Sequence, residues 1–210
     1  MQTKNRLLVV MAVLAFSFVF EPSVAEKVSA RSQSTTNAET LTFEQGVAAS
    51  ERREYTLAFS IFQRLALNGD AKAQNSLADL YHNGTGVPQD YAAAVSWYRK
   101  AADQGNANAQ NNLGIMYKKG TGVPQDEAAA FSWYRKAAEQ GLEESQYNLG
   151  VMYSKGQGVP QDSVQAYKWL ILSAVSGDED SIKSRDIVAR AMTLAQIAEA
   201  QRLAWEWRGK

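Results

Sequence analysis

The sequence has no cysteine, a single histidine, His82, and only four prolines. Without cysteine there is no thiolate nucleophile, no disulfide and no sulfur ligand for zinc or an iron–sulfur cluster. One histidine leaves too few ligands for most other metal sites. Charge of one sign is missing too: Lys plus Arg and Asp plus Glu each number 22, so no global basic field is available to hold nucleic acid. Nor is there a long apolar run. The longest, Leu7–Phe20, has fourteen residues with Ser17 as its only polar member, short of the roughly 20 that cross a bilayer. What is present is 45% hydrophobic and 21% charged, ample for one packed unit and too apolar for a disordered chain. No metal, cofactor or nucleic-acid partner is expected.

Lys4 and Arg6 precede the apolar run, and Pro22-Ser23-Val24-Ala25 follows it with small residues at alternate positions. A basic head, a short apolar stretch and a small-residue cleavage pattern read as a secretory signal peptide, residues 1–25, cut after Ala25. The competing reading is an uncleaved membrane anchor. Cleavage removes Lys4, Arg6 and Glu21 and leaves 20 positive and 21 negative side chains, a net charge of −1. The product is expected to be exported, periplasmic or secreted, without membrane insertion. Residues 26–40 are rich in Ser, Thr, Gln and Glu without apolar periodicity, and read as a disordered leader.

One motif recurs every 36 residues. Asn83-Gly84-Thr85-Gly86-Val87-Pro88-Gln89-Asp90 returns as Lys119-Gly120-Thr121-Gly122-Val123-Pro124-Gln125-Asp126, then as Lys155-Gly156-Gln157-Gly158-Val159-Pro160-Gln161-Asp162. Leu77, Leu113 and Leu149 are in phase, as are Tyr81, Tyr117 and Tyr153, Ala94, Ala130 and Ala166, and Trp97, Trp133 and Trp169. Three full repeats result, 71–106, 107–142 and 143–178, and a period of this length signals a stacked array.

Each repeat decomposes into two helices. In the second repeat Ala109, Leu113, Met116 and Tyr117 mark one apolar face of a helix from about Asn108 to Lys119. Gly120 ends it by accepting left-handed backbone, and Gly122 allows a second bend. Val123 tucks into the seam, and Asp126 caps a second helix that runs to about Gln140. Its buried stripe is expected at Ala130, Trp133, Tyr134 and Ala137. Ala78, Gly114 and Gly150 place a small residue where the paired helices cross most closely. Upstream, Phe43–Ser50 and Glu54–Asn68 form a degenerate opening repeat (41–70) with a shorter link. Downstream, Ser181–Met192 and Thr193–Trp207 lack the turn motif and are expected to cap the open end, although Trp205 and Trp207 could instead give a docking face. Trp205 lies 36 residues after Trp169, an interval read as coincidence because its neighbours do not match.

The ordered pattern Leu-Gly, Tyr, Gly-x-Gly-Val, Asp, Ala, Trp-Tyr, Ala-Ala and Gly resembles the Sel-one-like repeat family, relatives of the tetratricopeptide repeats. Repeat one departs from it at Ala78, and repeat three at Leu170 and Ser173-Ala174. The resemblance implies an all-α fold, a right-handed α-solenoid of antiparallel helix pairs that works as a protein-binding scaffold, with the first helix of each pair on the concave side. Carried onto this chain, the exposed first-helix positions are Lys72, Asn75, Asp79 and His82; Asn108, Asn111, Ile115 and Lys118; and Glu144, Tyr147, Val151 and Ser154. These twelve form the candidate surface, with asparagines suited to an extended peptide backbone and Ile115, Tyr147 and Val151 offering apolar contacts.

Other motifs read as structural. The glycine-rich turns lack the Gly-Lys-Ser/Thr ending and the preceding strand of a phosphate loop. His82 has no His or Cys companion. Asp178, Glu179 and Asp180 precede a helix, where negative side chains favour the amino-terminal dipole. The Trp-Tyr pairs share helical phase with alanines and so point between helices. No catalytic residues are assigned. The expected function is a non-enzymatic, monomeric scaffold in the bacterial cell envelope that binds a protein or peptide. The alternative is an enzyme acting on cell-wall or β-lactam substrates, or a regulator of one. Exported relatives of that kind carry a disulfide in each repeat, which this chain cannot form. It also lacks Ser-x-x-Lys: Ser60, Ser132 and Ser163 are followed three residues later by Gln63, Arg135 and Ala166.

Overall fold

A computed structural model describes residues 41–208. The signal-peptide and leader readings fall on residues 1–40 and lie outside the described residues. Among those described, the regular elements are all helical: α1 (Phe43–Glu51), α2 (Tyr55–Leu67), α3 (Ala71–Asn83), α4 (Tyr91–Asp103), α5 (Ala107–Lys119), α6 (Glu127–Glu139), α7 (Glu143–Lys155), α8 (Ser163–Ser173), a 3-10 turn at Ala174–Ser176, α9 (Glu179–Arg190) and α10 (Leu194–Arg208). None of these helices is long and apolar enough to cross a membrane.

The repeated turn explains why each pair forms. Gly84, Gly120 and Gly156 follow the first helix with φ of 66°, 68° and 68°, the left-handed closure that glycine adopts without a Cβ penalty. The turn then answers the carbonyls that the last helical turn leaves over. In repeat one the Thr85 N–H donates to the Leu80 carbonyl and the Asp90 N–H to that of Tyr81, both at 3.0 Å. Gln89 Nε2 donates to the His82 carbonyl at 2.8 Å, as Gln125 does to Lys118 and Gln161 to Ser154. Asp90, Asp126 and Asp162 then cap the second helices by accepting from backbone N–H groups of the first turn. Asp70 and Asn106 cap α3 and α5 in the same way, whereas α7 has Leu142 at its N-cap position and no side-chain cap. The opening pair uses a shorter link in which Arg53 takes the left-handed backbone, φ 61°.

Helices pack in chain order, each pair closed on itself and each second helix against the next first helix, which gives an α-solenoid. Leu77, Leu113 and Leu149 are fully buried. At the crossing inside each pair a small residue lies under a large one. A Cβ on Gly114 would stand 2.8 Å from Tyr134 Cδ1, and one on Gly150 2.7 Å from Leu170 Cγ. The opening pair repeats the device, since a Cβ on Gly46 would stand 2.4 Å from Phe62 Cε1. Gly114→Leu therefore forces either the Tyr134 ring or a backbone to move. We expect a loss of about 1–3 kcal/mol from overpacking, read as a lower thermal midpoint; an unchanged midpoint would contradict this crossing.

The expected stripe of α6 holds at Ala130, Tyr134 and Ala137, which are buried. Trp133 is a correction: it is only half-buried, as is Trp97. Both rings still pack against the core, and Lys100 Nζ and Lys136 Nζ sit 3.8 and 3.9 Å from the ring centroids of Trp97 and Trp133. Trp169 is 4% exposed because α10 packs on α8 and brings the Trp207 ring to 5.9 Å. Trp205, 77% exposed, takes no part in this packing, so its 36-residue interval from Trp169 has no structural meaning. Asp178 caps α9 by accepting from the Ser181 N–H at 2.8 Å, and that backbone donor holds its carboxyl below the usual carboxylate range.

Candidate functional site

The first helices α3, α5 and α7 lie side by side, and the twelve expected surface positions fall on them in three degrees of exposure. Lys72, Asn108 and Glu144 are exposed, while Asn75, Asp79, His82, Ile115, Lys118, Tyr147, Val151 and Ser154 are half-buried. Asn111 is a correction. It is 2% exposed, and its Oδ1 accepts from Ser145 Oγ at 2.8 Å, so it ties α5 to α7 and offers nothing to a partner. Ser145 occupies the repeat position that is Ala73 and Ala109 elsewhere, and only a hydroxyl there gives Asn111 a bond between helices.

A polar node centred on Asp79 joins the first two repeats. Tyr98 Oη donates to Asp79 Oδ1 at 2.5 Å, Asn112 Nδ2 to the same oxygen at 3.3 Å, and Asn75 Nδ2 to Oδ2 at 3.1 Å. Asn112 Nδ2 also reaches Asn75 Oδ1 at 3.4 Å. Asn112 and Tyr98 are the members that repeat phase alone did not identify. Beside the node, His82, Ile115 and Lys119 help line a cavity of about 290 Å³. His82 Nδ1 stands 3.0 Å from Asn83 Oδ1, and its ring meets Tyr91 edge-on at 5.4 Å.

Burial pushes the Asp79 carboxyl above its ordinary value, against the Tyr98 hydrogen bond and the His82 charge, which pull it down. The sign follows. A carboxyl whose pKa is higher folded than unfolded contributes fully below the unfolded value, about 3.9, and loses that contribution as pH rises through the folded value. Asn copies the protonated acid, so the melting temperature of Asp79→Asn minus that of wild type is expected to grow from pH 4 to pH 7. A difference that stays flat, or shrinks, would contradict the direction.

A glutamine ladder braces the other edge of the same helices. Gln74, Gln110 and Gln146 are buried and donate through Nε2 to the carbonyls of Ala66, Ala102 and Ala138, near the end of the preceding second helix. Gln104 and Gln140 donate in turn to the Oε1 atoms of Gln74 and Gln110, both at 2.7 Å. No buried side-chain polar atom among the described residues lacks a partner, so the row is held rigidly for whatever it meets.

At the carboxy-terminal end of the array, α9 supplies a facing wall. Tyr147, Val151 and Ser154 with Ile187 and Val188 line a groove of about 180 Å³, and Glu144 and Tyr147 with Asp178, Asp180 and Ser181 line one of about 370 Å³. Among the described residues no cluster of His, Cys, Asp or Glu could hold a metal ion.

Helix pairs stacked at a constant interval, presenting one continuous row of first-helix side chains, define a helical-repeat protein. The family model described as Sel1 repeat matches residues 71–106, 107–142 and 143–178, and the chain belongs to the Sel1 repeat family. It is similar to the crystal structure of a Sel1 repeat protein from Oxalobacter formigenes, with 32% identity and a TM-score of 0.67 over 70% of this chain and 60% of that one. It is also similar to a protective antigen present in uropathogenic Escherichia coli strains that displays an SLR fold, with 36% identity and a TM-score of 0.67 over 73% of this chain and 33% of that one. This chain thus spans under two thirds of the length of either structure. No curated protein matches it. Sel1 repeat proteins are in general protein-interaction scaffolds, and the fold is typically non-catalytic.

Proposed function

We propose that this protein is a non-enzymatic scaffold of the bacterial cell envelope that binds one protein or peptide partner along the first-helix face. The observation that carries the reading is the braced row on α3, α5 and α7, where Ile115, Tyr147 and Val151 stand half-buried beside exposed Lys72, Asn108 and Glu144. Half-buried apolar groups held on a rigid support bind with little ordering entropy. The envelope location rests on the signal-peptide pattern of residues 1–25. Its direct check is the mass and cell fraction of the protein from its own organism: processing to Glu26 supports export with cleavage, a retained Met1 segment in the membrane fraction supports the anchor, and recovery in the cytosol contradicts the envelope location.

Affinity capture from envelope extract tests the scaffold reading. The full chain with a carboxy-terminal tag is compared with an Ile115→Ser/Tyr147→Ser/Val151→Ser variant and with Ser96→Ala/Ser132→Ala, which alters exposed positions on α4 and α6. A saturable partner lost only with the first variant, while circular dichroism shows both folded, is the expected result. Equal recovery with all three proteins would sink the face assignment. Asn111 is left out of the variant because its change would loosen the repeat interface.

A further inference from the structure

We infer that the edge formed by the last turns of α3, α5 and α7 recognises an acidic segment of the protein partner, a refinement that rests on the scaffold reading above. His82, Lys118, Lys119 and Lys155 all lie in those last turns, so the three helices bring their basic side chains to one side of the row. The ion pairs among the described residues lie elsewhere: Arg52 with Glu54, Arg135 with Glu139, Lys183 with Glu179 and Asp180, Arg185 with Asp186, and Arg202 with Glu199 and Glu206. Lys118, Lys119 and Lys155 belong to none of them.

The crowding is electrostatically unfavourable in the free protein. Burial lowers the Lys118 ammonium below the ordinary lysine value, Lys155 and Lys119 lower it further, and Glu127 alone opposes them. That carboxylate is shared, since its Oε1 accepts from Gln157 Nε2 at 3.2 Å. A helix dipole favours one cation at a carboxy-terminal end, and the glycine turns with Gln89, Gln125 and Gln161 already answer the terminal carbonyls. Neither effect accounts for Lys118, which Lys119 and Lys155 crowd and which has no carboxylate within 4.0 Å in an ion pair among the described residues. A bound anionic segment would relieve that repulsion.

The adjoining cavity sets a second requirement. Its lining is mostly polar, with Asp79, His82, Asn83, Asn112 and Lys119 beside Tyr98, Met116 and Ile115, so an apolar side chain finds contact only at the half-buried Ile115. The matching ligand is an extended peptide in which single apolar residues are set among acidic ones. Charge complementarity of this kind acts chiefly through association rate and specificity and is screened by salt.

The test uses the full chain and fluorescence anisotropy with a labelled Glu-Leu-Glu-Asp-Leu-Glu peptide, its Gln-Leu-Gln-Asn-Leu-Gln counterpart and a Lys-Leu-Lys-Lys-Leu-Lys counterpart. Wild type is expected to bind the acidic peptide at least tenfold tighter than the neutral one, with affinity falling as salt rises. Lys118→Glu/Lys155→Glu should lose that preference and favour the lysine peptide, while Arg64→Glu/Arg190→Glu, an equal charge change on α2 and α9, should keep it. Equal binding of acidic and neutral peptides would overturn the inference, as would equal loss in both double variants. Tighter binding to a single-stranded oligonucleotide or to phosphatidylglycerol vesicles than to the acidic peptide would overturn it too. A partner captured through Ile115, Tyr147 and Val151 but retained by Lys118→Glu/Lys155→Glu would contradict this edge while leaving the scaffold reading intact.

Discussion

Tyr134→Ala is expected to destabilise the protein by about 3–5 kcal/mol, the range for emptying a buried aromatic site. Tyr134 is 1% exposed and lies across Gly114 inside the second helix pair. Burial also raises the pKa of its hydroxyl, with the Glu144 charge adding to it. Removing the ring leaves a void over Gly114 between α5 and α6, since the ring is what fills that crossing. In a stacked array each repeat contacts only its neighbours, so the loss should be felt first as faster amide exchange in α5 and α6. At about 2–4 °C per kcal/mol for a chain of this size, the thermal midpoint should fall by roughly 10 °C. A fall of only a degree or two would mean that the pair is not closed over this ring.

Gly122→Val should be nearly as damaging for a different reason. Gly122 has φ of 70°, and a Cβ there would meet the Tyr91 carbonyl oxygen at 2.4 Å. The obstacle is the first turn of the preceding second helix, which is backbone and cannot rotate aside. The left-handed conformation costs a side chain roughly 1–2 kcal/mol, and the enforced shift of the turn adds strain of the order of 1–3 kcal/mol. Gly86 and Gly158 meet Tyr55 and Glu127 in the same manner, so this glycine sets how closely one repeat approaches the one before it. Urea denaturation of Gly122→Val is expected to show a loss of about 3 kcal/mol and a broadened transition as repeats two and one uncouple. Wild-type cooperativity with an unchanged midpoint would contradict the close approach.

These residues also show which parts of the molecule the sequence discloses. The period of 36 residues in the glycine turns, the leucines and the alanines places the helix pairs, because each of those positions answers to its own repeat: a cap, a closing glycine, a crossing. Contacts between repeats are harder to read. Asn111 belongs to the same repeat position as Asn75 and Tyr147, yet it is buried because its neighbour in the next repeat is Ser145. A serine among alanines at that position was the available signal. Gln74, Gln110 and Gln146 recur in phase and were legible as a row, but polarity on an amphipathic helix reads as solvent exposure unless a neighbouring carbonyl is known to need a donor. Gly46 escaped because the opening link is shorter and throws it out of phase. The return of α10 onto α8 had no periodic signal at all, since Trp207 stands outside the repeat and finds Trp169 only in three dimensions.

The central claim is that the partner lies on the first helices. Amide hydrogen exchange of the full chain, alone and saturated with its captured partner, tests it most directly. Protection concentrated in α3, α5 and α7, with α4 and α6 unchanged, is the predicted footprint. Protection centred on α4, α6 or the exposed Trp205 side of α10 would contradict it.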